Sequence, residues 1–229
     1  MQKIGFSSWS GGKDGCLALF RAEKMGIKIP YLFTMIEEGG ERSRSHGLRL
    51  ELLQAQAEAL GKTWEYRKAT WGDYEAEYLG YLHEKQAQGI EIGIFGDIDL
   101  DAHRGWVEGV CQMENLQASL PLWQEARRDL IREFIREGFI ARIVTIDTRK
   151  VPERYLGRIF TEELIEEFEA MGVDACGENG EFHTVVLDGP NFLHPIEVEV
   201  GEAIAIDSYR QLDLKIKARK ELPSLAKKK

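Results

Sequence analysis

The chain has 229 residues, enough for one large domain or two small ones. Hydrophobic residues make up 43% and charged residues 30%, which excludes a disordered chain, and no apolar run approaches the ~20 residues that span a bilayer. Thirty basic against thirty-nine acidic side chains give a formal charge of -9, a balance that speaks against gripping many nucleic-acid phosphates. The start, Met1-Gln2-Lys3-Ile4-Gly5, lacks the charged-then-apolar layout of a signal peptide, so a cytoplasmic location and no membrane partner are expected. Cys16, Cys111 and Cys176 form neither a CxxC pair nor a disulfide framework, which suits a reducing compartment.

Apolar strands and amphipathic helices alternate along the first half. Residues 3–9 predict a strand, and 14–25 a helix with Leu17 and Phe20 on one side, stopped by Gly26. Residues 29–35 form a second apolar run. Leu48, Leu52, Ala55 and Ala59 then recur at helical spacing up to Gly61. A short strand over 63–66 precedes a helix marked by Tyr74, Tyr78 and Tyr81, and 90–95 is another buried strand. This order predicts a doubly wound α/β fold, a parallel sheet with helices on both faces. Beyond Leu120-Pro121-Leu122 the pattern changes. Helices over 128–137 and after Thr161 mix with strands over 141–146 and 184–187 and with period-two runs at Ile196-Val198-Val200 and Leu212-Leu214-Ile216. Such alternation predicts antiparallel strands with one wet face, a smaller α+β unit. A boundary at 121/122 divides the chain into residues 1–121 and 122–229.

Ser10-Gly11-Gly12-Lys13-Asp14-Gly15 stands between the first strand and the first helix. Doubly wound folds bind anions there. Glycines let backbone N–H groups approach phosphate oxygens, and the helix start adds partial positive charge. Ser10 offers a hydroxyl and Lys13 a mobile ammonium, while Asp14 is placed to cap the helix or to help hold Mg²⁺. This is no Walker A loop, because only two glycines precede Lys13 and Asp14 replaces the metal-binding Ser or Thr. The segment resembles the PP-loop signature SGGxDS of the ATP pyrophosphatases, with Gly15 departing from the final serine. That resemblance implies an adenine-nucleotide α-hydrolase-like sheet and cleavage of ATP between the α- and β-phosphates.

A second motif, Cys176-Gly177-Glu178-Asn179-Gly180-Glu181-Phe182-His183-Thr184, gathers two carboxylates, an amide and an imidazole before an apolar strand. Such a loop can orient acid, base and hydrogen-bonding groups around a substrate. Together with the PP-loop it resembles the GE-G-GE-(F/Y)-HT stretch of the diphthine–ammonia ligase (diphthamide synthetase) family, with Asn179 where many relatives have glycine. Gly93-Ile94-Phe95-Gly96-Asp97-Ile98, Ser43-Arg44-Ser45-His46-Gly47 and Tyr155-Leu156-Gly157 extend the resemblance over nearly the whole chain.

The resemblance implies adenylation of diphthine, a modified histidine on elongation factor 2, followed by attack of ammonia and release of AMP and pyrophosphate. Ser10, Gly11, Gly12, Lys13, Asp14 and Gly15 are then expected to hold ATP, with Met35, Gly96 and Asp97. Asp14 and Asp97 are the carboxylates expected near Mg²⁺. Glu178, Glu181 and His183 are the catalytic candidates, with their individual roles unassigned. Ser45, His46, Asn179, Gly180 and Thr184 are the substrate-binding candidates. With Arg42, Arg44 and Arg49 around it, the loop at Ser45 and His46 reads equally well as a solvated basic loop. His103, Trp106 and Glu108 are expected to pack or to make loop contacts. Elongation factor 2 and ammonium are the expected partners, and a homodimer is left open. Two alternatives stand beside this reading. One is a PP-loop enzyme modifying tRNA, kept alive by the basic stretch from Lys215 to Lys220. The other is a non-catalytic ATP-binding module.

Overall fold

The computed structural model describes residues 2–44 and 46–217. Ser45 and the lysines beyond residue 217 lie outside that set. Strands β1 (Ile4–Ser8), β2 (Lys28–Glu37), β3 (Thr63–Ala69), β4 (Ile92–Ile94) and β5 (Gln117–Ser119) build an all-parallel sheet in the order β3-β2-β1-β4-β5. Helices α1 (Lys13–Lys24), α2 (Leu50–Ala59), α3 (Tyr74–Ala87) and α4 (Asp101–Met113) make the crossovers. The chain winds outward from β1 to β3, then returns to the centre at β4. The crevice at this reversal lies beyond the carboxyl ends of β1 and β4, where ligands of such sheets collect.

Period-two side-chain alternation divides the packing between the two faces. Leu32, Ile92 and Ile94 join the apolar residues of α1 and α2 on one face. Phe6, Phe33 and Phe95 pack with Tyr78, Tyr81, Val107, Val110 and Cys111 of α3 and α4 on the other. Phe6 meets Phe33, Tyr81 and Phe95 edge-on, and Gly93 makes room, since a Cβ there would stand 2.9 Å from both Phe6 and Phe95.

The rest of the chain forms a four-stranded antiparallel sheet in the order β7-β6-β9-β8. It comprises β6 (Ile140–Asp147), β7 (Phe182–Asp188), β8 (Val198–Ile206) and β9 (Tyr209–Ile216), with helices α5 (Arg127–Arg136) and α6 (Glu162–Ala170) beside it. Thr161 caps α6 by accepting from the Leu164 amide, as its residue type predicts. Val144, Val185 and Phe134 belong to the same buried cluster as Leu17 and Leu52, so the second sheet packs against the α1–α2 side of the first. No helix of the described residues is long and apolar enough to cross a membrane.

The chain-order expectations agree with these elements to within a few residues in both halves. The edge strand β5 is the exception, since Gln117-Ala118-Ser119 is short and half-polar and carries no apolar signal. The period-two runs do alternate, although on β8 nearly every side chain is exposed.

Candidate active site

Residues after β1, β2 and β4 meet the loop before β7 around one cavity of about 470 Å³. Gly11 turns the chain out of β1 with φ +82°, a left-handed conformation that favours glycine. Gly12 then begins α1 without a side-chain cap. The Lys13 amide is taken by the Thr184 hydroxyl at 3.1 Å, and helix geometry leaves the Asp14 and Gly15 amides without an intrahelical acceptor. A Cβ at Gly12 would stand 2.5 Å from the His46 ring, and one at Gly96 2.8 Å from the Gly15 nitrogen. Both close approaches demand glycine.

The loop is held from behind by Gln56, a fully buried residue of α2. Its Nε2 donates to the carbonyls of Gly11 at 2.9 Å and Val186 at 2.7 Å, and its Oε1 accepts from the Trp9 indole at 3.1 Å. The Val186 amide also donates to the Gly11 carbonyl at 3.0 Å. The PP-loop is therefore stitched to β7 of the second sheet. Gln56 was not among the sequence candidates. A glutamine on the buried face of a predicted helix was the available signal.

Lys13 is 5% exposed, and its ammonium lies 2.7 Å from Asp14 and 3.9 Å from Glu178. Burial alone would lower its pKa, but Asp14, Cys176 and Glu178 outweigh it and keep the ammonium charged. Glu178 moves the opposite way. Burial, then the charge of Asp14, raises its carboxyl to about 7 against the pull of Lys13 and Arg127. A buried carboxyl titrating near neutrality suits proton transfer. Asp14 does not cap α1, and pairs with Lys13 instead. Asp97, past the end of β4, is raised by burial despite its 3.2 Å contact with His103 Nδ1, and Asp14 adds to the rise.

His46 Nδ1 donates to the Thr184 carbonyl at 2.8 Å, and its own carbonyl accepts from Thr145 at 3.1 Å. The rings of His46 and His183 are 4.6 Å apart. Burial lowers both, and His46 and Lys13 help bring His183 to about 3, so both imidazoles are neutral at pH 7.

Ser10, Lys13, Asp14, Gly15, Met35, His46, Gly96, Asp97, Glu178, Gly180, His183 and Thr184 all border the cavity. Gly11, Gly12, Asn179 and Glu181 do not. Glu181 is buried, and its carboxylate accepts from the Asn179 amide at 2.9 Å and side chain at 3.1 Å, so it shapes the loop. His103 reaches the cavity, whereas Trp106 bonds Glu75 and Glu108 pairs with Arg104. Among the described residues, the grouped potential metal ligands are Asp14, Cys176 and Glu178, within 4.8 Å of one another, and Asp97 is not in that group.

The family models of the diphthamide synthase N-terminal and C-terminal domains match residues 4–118 and 126–219. The chain belongs to the diphthamide synthase family. Proteins named diphthine–ammonia ligase from Mus musculus and Homo sapiens are each 31% identical over 223 residues, covering 85% of this chain and 82% of the relative. A solved structure described as a predicted subunit of a tRNA methyltransferase from Methanocaldococcus jannaschii superposes with a TM-score of 0.47 at 17% identity. It covers 82% of this chain and 98% of its own, and a likeness of that size says nothing of activity. The Mus musculus and Homo sapiens relatives are both named as ligases.

Proposed function

We propose that this chain is an ATP-dependent carbon–nitrogen ligase that amidates the carboxylate of diphthine on elongation factor 2 with ammonium. The observation that carries the reading is the seam between Lys13 and Thr184. These residues are 171 positions apart and hydrogen-bonded, so the PP-loop and the glutamate–histidine loop face one cavity. A plain nucleotide-binding module has no use for the second loop.

A carboxylate resists attack because its oxygen leaves poorly. One carboxylate oxygen bonds to the α-phosphorus, the bond to the β-phosphate breaks, and pyrophosphate departs. Ammonia then adds to the carbonyl carbon, AMP leaves with that oxygen, and an amide remains. The open amides of α1 and the Lys13 ammonium suit the departing pyrophosphate. Glu178 takes the proton that turns ammonium into ammonia, and the second proton leaves as the amide forms. His183 and His46, both neutral, hydrogen-bond rather than carry charge. Glu181 and Asn179 keep Glu178 in place.

ATP fits this cradle, because Ser10, Lys13, Asp14 and Gly15 border the cavity and the Asp14 and Gly15 amides have no intrahelical acceptor. Mg²⁺ fits as well. Asp14 and Asp97 both border the cavity, the charge of Asp14 helps raise Asp97, and hard oxygen donors of that kind suit it. Cys176, pushed up to about 12 by burial, stays a thiol and is no ligand for so hard a cation. When bound, Mg²⁺ neutralises triphosphate charge.

The test is a product analysis with diphthine-bearing elongation factor 2, ATP and ammonium. The expected products are AMP and the amide. Formation of ADP, or ATP that persists intact, would overturn the reading.

A further inference from the structure

Arg44 is a cation on the cavity wall that forms no ion pair among the described residues. Arg42 and Arg49, from the same loop, both pair with Asp213. Arg44 instead donates to the Ala69 carbonyl, and its Nε is buried without a partner. The Thr70 hydroxyl and, more weakly, the field of Arg44 hold Asp73 below the usual carboxylate range, yet Asp73 and Arg44 form no ion pair.

The Arg44 guanidinium lies 4.6 Å from the centre of the Trp71 ring and 5.6 Å from that of Tyr74. Trp71 and Tyr74 stack at 5.9 Å, and all three side chains line the cavity. Trp71 is nonetheless 80% exposed, more than any other large apolar side chain described. Leaving an indole in water forgoes the free energy that burial of such a side chain gains. With one terminal nitrogen donating to Ala69 and Nε buried, the guanidinium keeps its other terminal nitrogen, Nη1, to donate to a carboxylate oxygen. The rim thus offers an unanswered cation and open aromatic surface side by side.

We propose that Arg44, Trp71 and Tyr74 form the subsite for the zwitterionic head of the substrate side chain, the guanidinium taking its carboxylate and the aromatic faces its quaternary ammonium. The proposal rests on the ligase reading above. Diphthine bears both charges on one carbon, so its recognition needs a cation and a π-surface in contact. A trimethylammonium group has no N–H to donate, and a ring face is the partner that suits its size and weak hydration. Arg44 fixes one carboxylate oxygen, leaving the other for the α-phosphorus.

The test is steady-state kinetics of the full chain with diphthine-bearing elongation factor 2, ATP and ammonium. Trp71→Ala and Arg44→Ala should each raise KM for the modified factor by roughly tenfold or more, and KM for ATP by less than about twofold. Arg44→Lys should rescue only part, since an ammonium keeps the charge but does not stack on the two rings as the planar guanidinium does. Wild type should prefer the trimethylated factor over its unmethylated precursor, and Trp71→Ala should lose that preference. A rise in KM for ATP instead would assign the rings to adenine and overturn the proposal. Unchanged KM values for both substrates would overturn it too. Wild type that releases no AMP with the modified factor would defeat the ligase reading itself, so the two failures are distinguishable.

Discussion

The carboxylate of Glu178 stands 3.9 Å from the ammonium of Lys13, across the seam where the loop before β7 meets the start of α1. One residue belongs to the parallel-sheet half and the other to the loop that leads into the antiparallel sheet. Lys13 is held charged and Glu178 is held close to neutrality, so the pair combines anion binding with a group that can exchange a proton.

The pH dependence of amide formation should follow Glu178. With its carboxyl raised to about 7, mainly by burial, it is protonated and idle as a base below that pH. Turnover should therefore rise as pH increases through about 7. Glu178→Gln should lower kcat by roughly 10²-fold or more and abolish that acid limb. A variant that keeps the acid limb would show that another group sets it.

Lys13→Ala should lose AMP formation by roughly 10²–10³-fold, because the pyrophosphate loses its ammonium. It also leaves Asp14 and Glu178 facing each other unneutralised. The variant should consequently lose more thermal stability at pH 8, where Glu178 is ionised, than at pH 6. Melting curves at the two pH values check this. Equal losses would mean that Lys13 does not moderate the pair.

Gln56→Leu removes the hydrogen bonds to Trp9, Gly11 and Val186 while keeping most of the volume. The Gly11 carbonyl keeps the Val186 amide, but the Val186 carbonyl and the Trp9 indole are left buried and unpaired. The expected cost is about 2–4 kcal/mol in chemical denaturation, with a raised KM for ATP as the loop loosens. An unchanged KM for ATP would show that Val186 alone fixes the loop.

Much of this arrangement is legible in the sequence, and the division is physical. Lys13, Asp14, Asp97, Glu178 and His183 follow strand ends or glycine turns, where local pattern marks a site. Gln56, Arg44 and Asp213 carry no local mark. Gln56 occupies an apolar helical face and gains its partners only when β7 folds against the PP-loop, 130 residues away from Val186. Arg44 sits in a basic run that reads as solvated, and only the pairing of its neighbours with Asp213 sets it apart. Glu181 shows the converse. Its motif suggests chemistry, but its carboxylate accepts from the Asn179 amide and side chain and Glu181 does not border the cavity.

Asp213 ties the loop that carries His46 to β9. Its Oδ1 accepts from Arg42 at 2.6 Å and from Arg49 at 2.8 Å, and Gly47 packs against Gln211 beside it. The Arg49 and Arg42 guanidiniums hold its carboxyl well below the usual carboxylate range. A depressed pKa contributes stability above the unfolded value and loses it as pH falls through the folded one. Asp213→Asn should therefore cost about 1–2 kcal/mol at pH 7, allowing for the partial exposure of both arginines. The gap to wild type should narrow steadily as pH falls below the ordinary aspartate range towards the depressed folded value. The same variant should weaken ATP binding, because His46 rests against Gly12. Denaturation at pH 7 and pH 2, with a nucleotide titration at pH 7, measures both effects. A gap at pH 2 as large as that at pH 7 would show that packing, not charge, holds the loop.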